Sequence, residues 1–300
     1  MIETYLNLGF SFSSKEILSA EAITEILKIQ PISTKNPGDP MGVRKGGVKF
    51  GHWEYSTKSV ILSLDNAIEE ELSPHFQHLK KMFGPRKSAL QAIKNLMPAE
   101  LTLTVKWKTD QVNQEHGPTL TKDDLEICKE LQIDGIRFSI DISEKNDNSA
   151  PQEHIYKDIL ITYLNLNMEF SSSKILNPDK ITGLLQMAPT MKTYEDKLQL
   201  FEWGYSTENK ISLQESAFPG DFNADLQHLI SIFEQHQQTI IDIKELVEAK
   251  LGLRVHWASD SVHCYHGPLI DFPLFWVCER WGIDEIKFCL NIIEHPIEMD

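Results

Sequence analysis

A repeated His-Gly-Pro tripeptide contains the first residues that could do chemistry. It occurs as His116–Pro118 and again as His266–Pro268, each with an aspartate six residues upstream, Asp110 and Asp260. Because histidine titrates near neutral pH, an oriented imidazole at this position could act as a general base. No nucleophile recurs beside both histidines, and Gly-Pro is typical of a turn. We therefore predict that the protein is not an enzyme, with a hydrolase that uses this tripeptide as the alternative.

The segment His263-Cys264-x-His266 has donor types that zinc prefers. Zinc needs three or four converging ligands, and the matching segment 113–116 reads Asn-Gln-Glu-His, so the cluster is not a property of both copies. We predict no metal and no cofactor. The chain has 4 Cys and no Cys-x-x-Cys pair, and Cys128 and Cys278 fall on apolar helical stripes, which favours a reducing compartment without disulfides.

A glycine-rich stretch, 38–47, carries the basic residues Arg44 and Lys45, and Lys49 follows closely. Backbone N–H groups and cations in such a loop can hold an anion. The stretch lacks the Gly-Lys-Ser/Thr of a phosphate-binding loop and precedes a predicted strand rather than a helix. We predict a loop that becomes ordered on a partner, with a small-anion-sensing module as the alternative.

The part of the sequence that must position these residues is an internal repeat with two copies. Thr4–Ser14 returns as Thr162–Ser172 at a spacing of 158 residues, and from Trp53, which matches Trp203, the spacing is 150 residues. Chance does not keep such a register over most of a domain. We interpret the chain as a tandem duplication.

We place the boundary near Pro151, within a polar, turn-rich stretch. The first repeat domain, 1–150, has a long Gly/Pro-rich loop at 32–52, and the second, 151–300, has a shorter one. The first loop has 21 residues between Pro31 and Trp53, and the second has 13 residues between Pro189 and Trp203.

Within each half, apolar periodicity alternates between that of strands and that of helices. The pattern predicts an α+β fold in which each half is a β-α-β-α-β-α-β unit, a mixed sheet layered with helices. Ser19 and Asn177 stand at equivalent helix N-cap positions. Gly84-Pro85 predicts a helix break in the first half only. The order of the strands in the sheet stays open.

Composition restricts the class of protein. The chain has 300 residues, 41% of them hydrophobic, with 29 Lys and Arg against 44 Asp and Glu for a formal charge of −15. This balance disfavours a nucleic-acid partner. No apolar run reaches the length of a membrane span, and the first residues do not resemble a secretion signal, so we expect a cytoplasmic protein without membrane contact.

The negative charge is concentrated in the second half. Residues 1–151 have 18 basic and 21 acidic side chains, whereas residues 152–300 have 11 and 23. An acidic surface accelerates association with a basic partner. Together with Arg44, Lys45 and Lys49, the candidate partner-binding residues are Glu195, Asp196, Asp221, Asp225, Glu234 and Asp242.

Residues of the second half carry a family resemblance. The run Leu176–Leu185, then Pro189-Thr190, then Trp203, and a Trp-Gly-Ile before the last strand resemble the bacterial domain-of-unknown-function family numbered 4279. The first half has a less complete version, with Ser-Ala-Glu-Ala at 19–22. These motifs are structural and transfer no catalytic residue. Small acidic bacterial domains of this kind resemble immunity proteins of toxin–immunity pairs.

The leading hypothesis is a non-catalytic binding protein: an immunity protein that neutralises a cognate, basic protein toxin by direct occlusion. We expect it to be a monomer with an internal pseudo-dimer.

Overall fold

The chain has an α+β fold with two mixed sheets. The computed structural model describes residues 3–13, 19–36, 50–58, 72–96, 99–109, 113–114, 118–142, 160–171, 176–195, 200–207, 223–259 and 269–292. These residues form two compact units, each treated separately below. The first unit comprises Met1–Thr109, Asp123–Asp141 and Tyr265–Asp271, and the second comprises Asp110–Lys122, Ile142–Cys264 and Phe272–Asp300. The units therefore follow the two halves of the chain except in two short segments.

Strands and helices are numbered along the chain. The strands are β1 (Glu3–Ser13), β2 (Ser33–Lys35), β3 (Phe50–Ser56), β4 (Ala99–Thr109), β5 (Asn113–Gln114), β6 (Thr119–Thr121), β7 (Gly135–Ile142), β8 (Leu160–Phe170), β9 (Met191–Glu195), β10 (Leu200–Ser206), β11 (Lys250–Ser259), β12 (Leu269–Asp271) and β13 (Glu285–Ile292). The helices are α1 (Ala20–Leu27), α2 (Ser73–Phe83), α3 (Lys87–Leu96), α4 (Lys122–Glu130), α5 (Pro178–Leu185), α6 (Asn223–Phe233), α7 (Gln237–Val247) and α8 (Phe272–Trp281).

The strand order, which the sequence left open, is similar in the two sheets. The first sheet runs β12-β7-β4-β1-β3-β2, with β1 antiparallel to both β3 and β4. The second runs β5-β13-β11-β8-β10-β9, and β6 also pairs with β13. Its β8 is antiparallel to β10 and β11, while β11 and β13 are parallel. Each sheet is thus mixed and centred on the first long strand of its half.

One face of each sheet is apolar and is covered by helices. In β1, the alternating residues Leu6, Leu8, Phe10 and Phe12 are buried, as the period of two predicts. Trp53 of β3 lies on the same face, where its indole N–H donates to Thr24 Oγ1 of α1 at 3.1 Å and its ring meets the edge of a helix α2 phenylalanine. The second unit repeats this contact between Trp203 and Thr182 Oγ1 at 3.2 Å. The core therefore lies between sheet and helices.

The predicted helix starts at Ser19 and Asn177 are confirmed. The Ser19 hydroxyl accepts the Ala22 N–H at 3.2 Å, and the Asn177 side-chain oxygen accepts the Lys180 N–H at 2.9 Å. Each side chain satisfies a backbone donor that has no partner in the first helical turn.

The prediction of a helix break in the first half only is wrong. A 3-10 turn follows α2 at Gly84–Arg86, and an equivalent one follows α6 at Glu234–His236. The second turn forms without proline or glycine. This is possible because a 3-10 turn needs only an i→i+3 hydrogen bond and forms readily at helix ends. Sequence patterns also missed the short strands β2, β5, β6, β9 and β12, since two to five residues are too few to show alternation.

Candidate functional site

The residues of the His-Gly-Pro hypothesis lie mostly outside the described part of the chain. His116, His266, Asp110 and Asp260 are not described, and neither is the segment that contains Cys264. Within the described ranges, no group of three or more His, Cys, Asp or Glu side chains could hold a metal ion. The catalytic and metal hypotheses therefore remain alternatives that rest on the sequence alone.

The candidate partner-binding residues divide into three groups. Arg44, Lys45, Lys49, Asp196 and Asp221 lie outside the described residues, and Glu195 is described only as the last residue of β9. Glu234 and Asp242 are exposed on the helical layer of the second unit. The third group is Asp225 alone, which is described next.

Asp225 belongs to the interior and not to an acidic surface. Only 5% of it is exposed, and it accepts a hydrogen bond from Thr207 Oγ1 at 2.5 Å. Thr207 is fully buried and accepts the Leu164 N–H at 3.0 Å. Burial raises the pKa of Asp225 above its ordinary value, and the hydrogen bond from Thr207 opposes part of that shift. The expectation that this side chain faces a partner does not agree with its place in the fold.

The first unit has a histidine at the corresponding place. His75 Nδ1 and Thr57 Oγ1 share a hydrogen bond of 2.6 Å, and Thr57 accepts the Leu6 N–H at 3.0 Å. Burial lowers the pKa of His75 to about 4, with His78 adding to the shift, so this imidazole is neutral at physiological pH. A hydroxyl enclosed in this way has no path to a substrate, and we interpret both clusters as internal polar links between strand and helix.

A second polar feature occupies the face of the second sheet opposite the core. Arg254 of β11 contacts Glu169 of β8 at 2.9 Å and Glu202 of β10 at 3.1 Å. Beside it, His256 Nε2 and Asn165 share a hydrogen bond of 2.9 Å, and burial lowers the pKa of His256 to about 4. Two carboxylates, from β8 and β10, face this one cation, so the network links the strands and leaves no unpaired positive charge to attract an anion.

The helical layer of the second unit carries large exposed apolar side chains. They are Trp276 of α8, 45% exposed, Leu246 of α7, 54% exposed, and Leu184 of α5. Helix α7 contacts both α5 and α8, so the three side chains lie on adjacent helices. We call Leu184, Leu246, Trp276, Arg280, Glu234 and Asp242 the helical surface of the second unit.

Trp276 is held in place by a charged neighbour. The Arg280 guanidinium lies over the indole ring, 4.6 Å from its centroid, and Arg280 Nη1 contacts Glu234 Oε1 at 2.9 Å. These residues are one helical turn apart on α8, which brings their side chains together on the outward face. The stack restricts the rotation of the indole ring.

Exposed acidic side chains lie on helix α7, which contacts α8. Asp242, Glu245 and Glu248 are exposed at or beside α7. Lys244, the lysine of that helix, is engaged by Asp284 at 2.6 Å and by the Gly282 carbonyl. At the positions matching Trp276 and Arg280, α4 of the first unit has Glu126 and Glu130. Of these acidic residues, charge counting in the sequence had selected only Asp242, and it missed Trp276, whose apolar side chain resembles those of the core residues of α8.

The fold and surfaces define a class of protein: two-unit α+β chains in which each sheet has helices on one face. Residues 3–145 match the family described as Domain of unknown function (DUF4279), which confirms the predicted resemblance for the first half of the chain. The match covers the half whose motif is less complete. No curated protein and no solved structure matches the chain. Among the helices that the structure describes, none is long and apolar enough to cross a membrane.

Proposed function

We propose that the chain is a non-catalytic binding protein of the immunity type, which neutralises a basic protein toxin by covering it. The observation that carries the proposal is the exposed Trp276, stacked under Arg280, on a helical layer that also has exposed acidic side chains. Tryptophan and arginine are the residue types that most often dominate binding energy in protein interfaces. The acidic residues of the same helical layer complement a basic partner and raise its association rate.

Duplication of one unit is the second part of the proposal. Equivalent contacts in the two units support it. Asp134 accepts the Leu101 N–H and contacts Lys94, and Asp284 accepts the Leu251 N–H and contacts Lys244, each at 2.8 Å and 2.6 Å. After duplication, a shared interior would be kept while the surfaces diverged. We infer that the second half took on the acidic binding surface and that the chain is monomeric, which a measured solution mass near 34.4 kDa would support.

The proposal is tested in growth-rescue and binding assays against the products of the adjacent reading frames as toxin candidates. Wild-type chain should restore growth and bind the purified candidate. Trp276→Ala should weaken binding about 30-fold or more, the effect of losing an anchor residue of about 2 kcal/mol.

The matched control is Ile32→Ala in the first unit, which removes a large side chain that is 56% exposed. It should leave rescue and affinity unchanged. Equal effects of the two variants, or no binding by wild-type chain, would contradict the proposal.

A further inference from the structure

The outer edge of β13, in the second sheet, is covered by strands from the first half of the chain. Thr119, Leu120 and Thr121 of β6 lie opposite Lys287, Ile286 and Glu285, and β5 pairs further along with Leu290 and Asn291. The Lys122 N–H donates to the Asp284 carbonyl at 2.7 Å, and the Phe288 N–H donates to the Pro118 carbonyl at 3.3 Å.

The first sheet shows the reciprocal pairing. Its outer strand β7 is covered by β12, where Leu269, Ile270 and Asp271 lie opposite Arg137, Ile136 and Gly135. Shifted by 150 residues, this register is the same as that of β6 on β13. Each half therefore contributes a short strand to the sheet of the other half.

The exchanged strands are part of the core that they join. Leu120 and Ile270, the central residues of β6 and β12, are both 0% exposed, as are their partners Ile286 and Ile136. A strand edge without such a cover would leave backbone N–H and C=O groups unpaired and these apolar side chains exposed. The identical register of the two pairings and the complete burial of their central residues indicate that each edge is a specific docking site for its strand.

We propose that the edges of β7 and β13 are strand-docking sites: β7 accepts the Leu-Ile-Asp segment of β12 from the second half, and β13 accepts the Thr-Leu-Thr segment of β6 from the first half. This is strand addition to an open sheet edge, in which the backbone supplies affinity and one buried side chain supplies specificity. The two halves are then held together by mutual exchange, independently of the peptide that connects them.

Engineered cysteine pairs in the full-length chain test which strand occupies which edge. In a background with Cys264→Ser and Cys289→Ser, the pair Thr119→Cys with Lys287→Cys joins facing residues of β6 and β13. The flanking hydrogen bonds make this a pair with closely spaced Cα atoms, which suits a disulfide. Mild oxidation should form the bond at high yield.

The matched control is Thr119→Cys with Arg137→Cys. These positions face each other only if β6 folds back onto β7 of its own half, because Arg137 is the residue that β12 faces in the exchanged arrangement. We expect no bond in the control. Absence of the first bond, or formation of the control bond at any substantial yield, overturns the proposal.

A second measurement does not depend on disulfide formation. A protease site inserted at position 151 of the full-length chain allows it to be cut after folding. The two fragments should elute together as one species near 34 kDa, and at least tenfold less complex should survive when Leu120→Asp and Ile270→Asp are combined. Separation of the wild-type fragments after cutting overturns the proposal. So does survival of the same amount of complex with the two aspartates, since the exchanged strands would then not hold the halves. The experiment requires no toxin, so its failure is distinguishable from failure of the immunity function.

Discussion

At the scale of single residues, the two halves place different titratable groups at one buried position. His75 contacts Thr57 in the first unit, and Asp225 contacts Thr207 in the second. Burial disfavours the charged form of each, which lowers the pKa of the histidine and raises that of the aspartate. These two groups therefore make opposite contributions to the pH dependence of stability.

Replacement of His75 by glutamine should reduce the loss of stability in mild acid. The pKa of His75 falls from 6.5 to about 4 on folding, so the unfolded chain binds more protons between these values. Stability is then fully present above pH 6.5 and is lost as pH falls toward 4, by on the order of 2–3 kcal/mol. Urea unfolding of wild type and His75→Gln from pH 7 to pH 4 measures the difference. A difference between the two proteins that stays constant over this range would contradict the assignment.

Replacement of Asp225 by asparagine should have the opposite pH signature. The pKa of Asp225 is raised on folding, so the native chain holds the proton more tightly, and stability falls as pH rises above the ordinary value of 3.8. Asparagine still accepts from Thr207 but has no charge to bury. Asp225→Asn should therefore be more stable than wild type near pH 7, and the gain should shrink as pH falls toward 3.8. The same urea series measures it, and a gain that grows in acid would count against this explanation.

At the scale of elements, two helix ends show that different residue types can form the same local motif. Helices α4 and α8 end in the same geometry. The Ile133 N–H donates to the Cys128 carbonyl, and the Ile283 N–H donates to the Cys278 carbonyl. The left-handed residue in this motif is Gln132 in the first unit, with φ 57°, and Gly282 in the second, with φ 65°.

Exchanging the residue types at these two ends should shift stability in opposite directions. A side chain at positive φ is strained, and glycine is not. Gln132→Gly should raise the free energy of unfolding by about 0.5–1 kcal/mol, and Gly282→Ala should lower it by about 1 kcal/mol. Denaturant unfolding measures both changes. Space does not decide the outcome, because an added Cβ at Gly282 would meet its nearest neighbour, Lys244 Nζ, at 3.7 Å.

The control for this pair is Gly183→Ala inside α5. Nothing lies within 4 Å of an added Cβ there, and the backbone is helical. This variant should be stabilised by about 0.5–1 kcal/mol, since alanine is the better helix former. If Gly183→Ala and Gly282→Ala change stability equally, the left-handed backbone is not the cause.

At the scale of the whole molecule, charge is distributed unevenly between the two halves. The second half has more than twice as many acidic as basic side chains, whereas the first half is nearly balanced. Long-range attraction acts mainly on association rates and is screened by salt. Under the proposed function, the acidic half determines how fast a basic partner is found.

Removing the charge of three acidic side chains in the second half should lower the association rate and leave the dissociation rate nearly unchanged. A variant with Asp242→Asn, Glu245→Gln and Glu248→Gln should bind the toxin candidate about tenfold more slowly at low salt, with a weaker dependence on ionic strength. Stopped-flow association over a salt series measures this. Three neutralised acidic residues of the first half, Glu25, Glu126 and Glu100, provide the control, and equal slowing by both sets would contradict a role for the second half.

The sequence alone determined those features whose cause is local. Alternation from Leu6 to Phe12 identifies β1 because side chains in a strand point to opposite faces, and Ser19 and Asn177 mark helix starts because their side chains satisfy adjacent backbone N–H groups. The sequence also reveals the excess of acidic residues in the second half and the constant spacing between the two copies of the repeat.

Only the tertiary structure decided the features that depend on residues far apart in the chain. Asp225 looks like a surface residue in a polar helix, and contact with Thr207 and burial in the unit show otherwise. The three-residue strands β6 and β12 carry too little pattern to be recognised, and each acquires its conformation from the sheet of the opposite half. Local preferences choose helix or strand, but pairing between distant segments is chosen by which edge remains open and which side chain fills the core there.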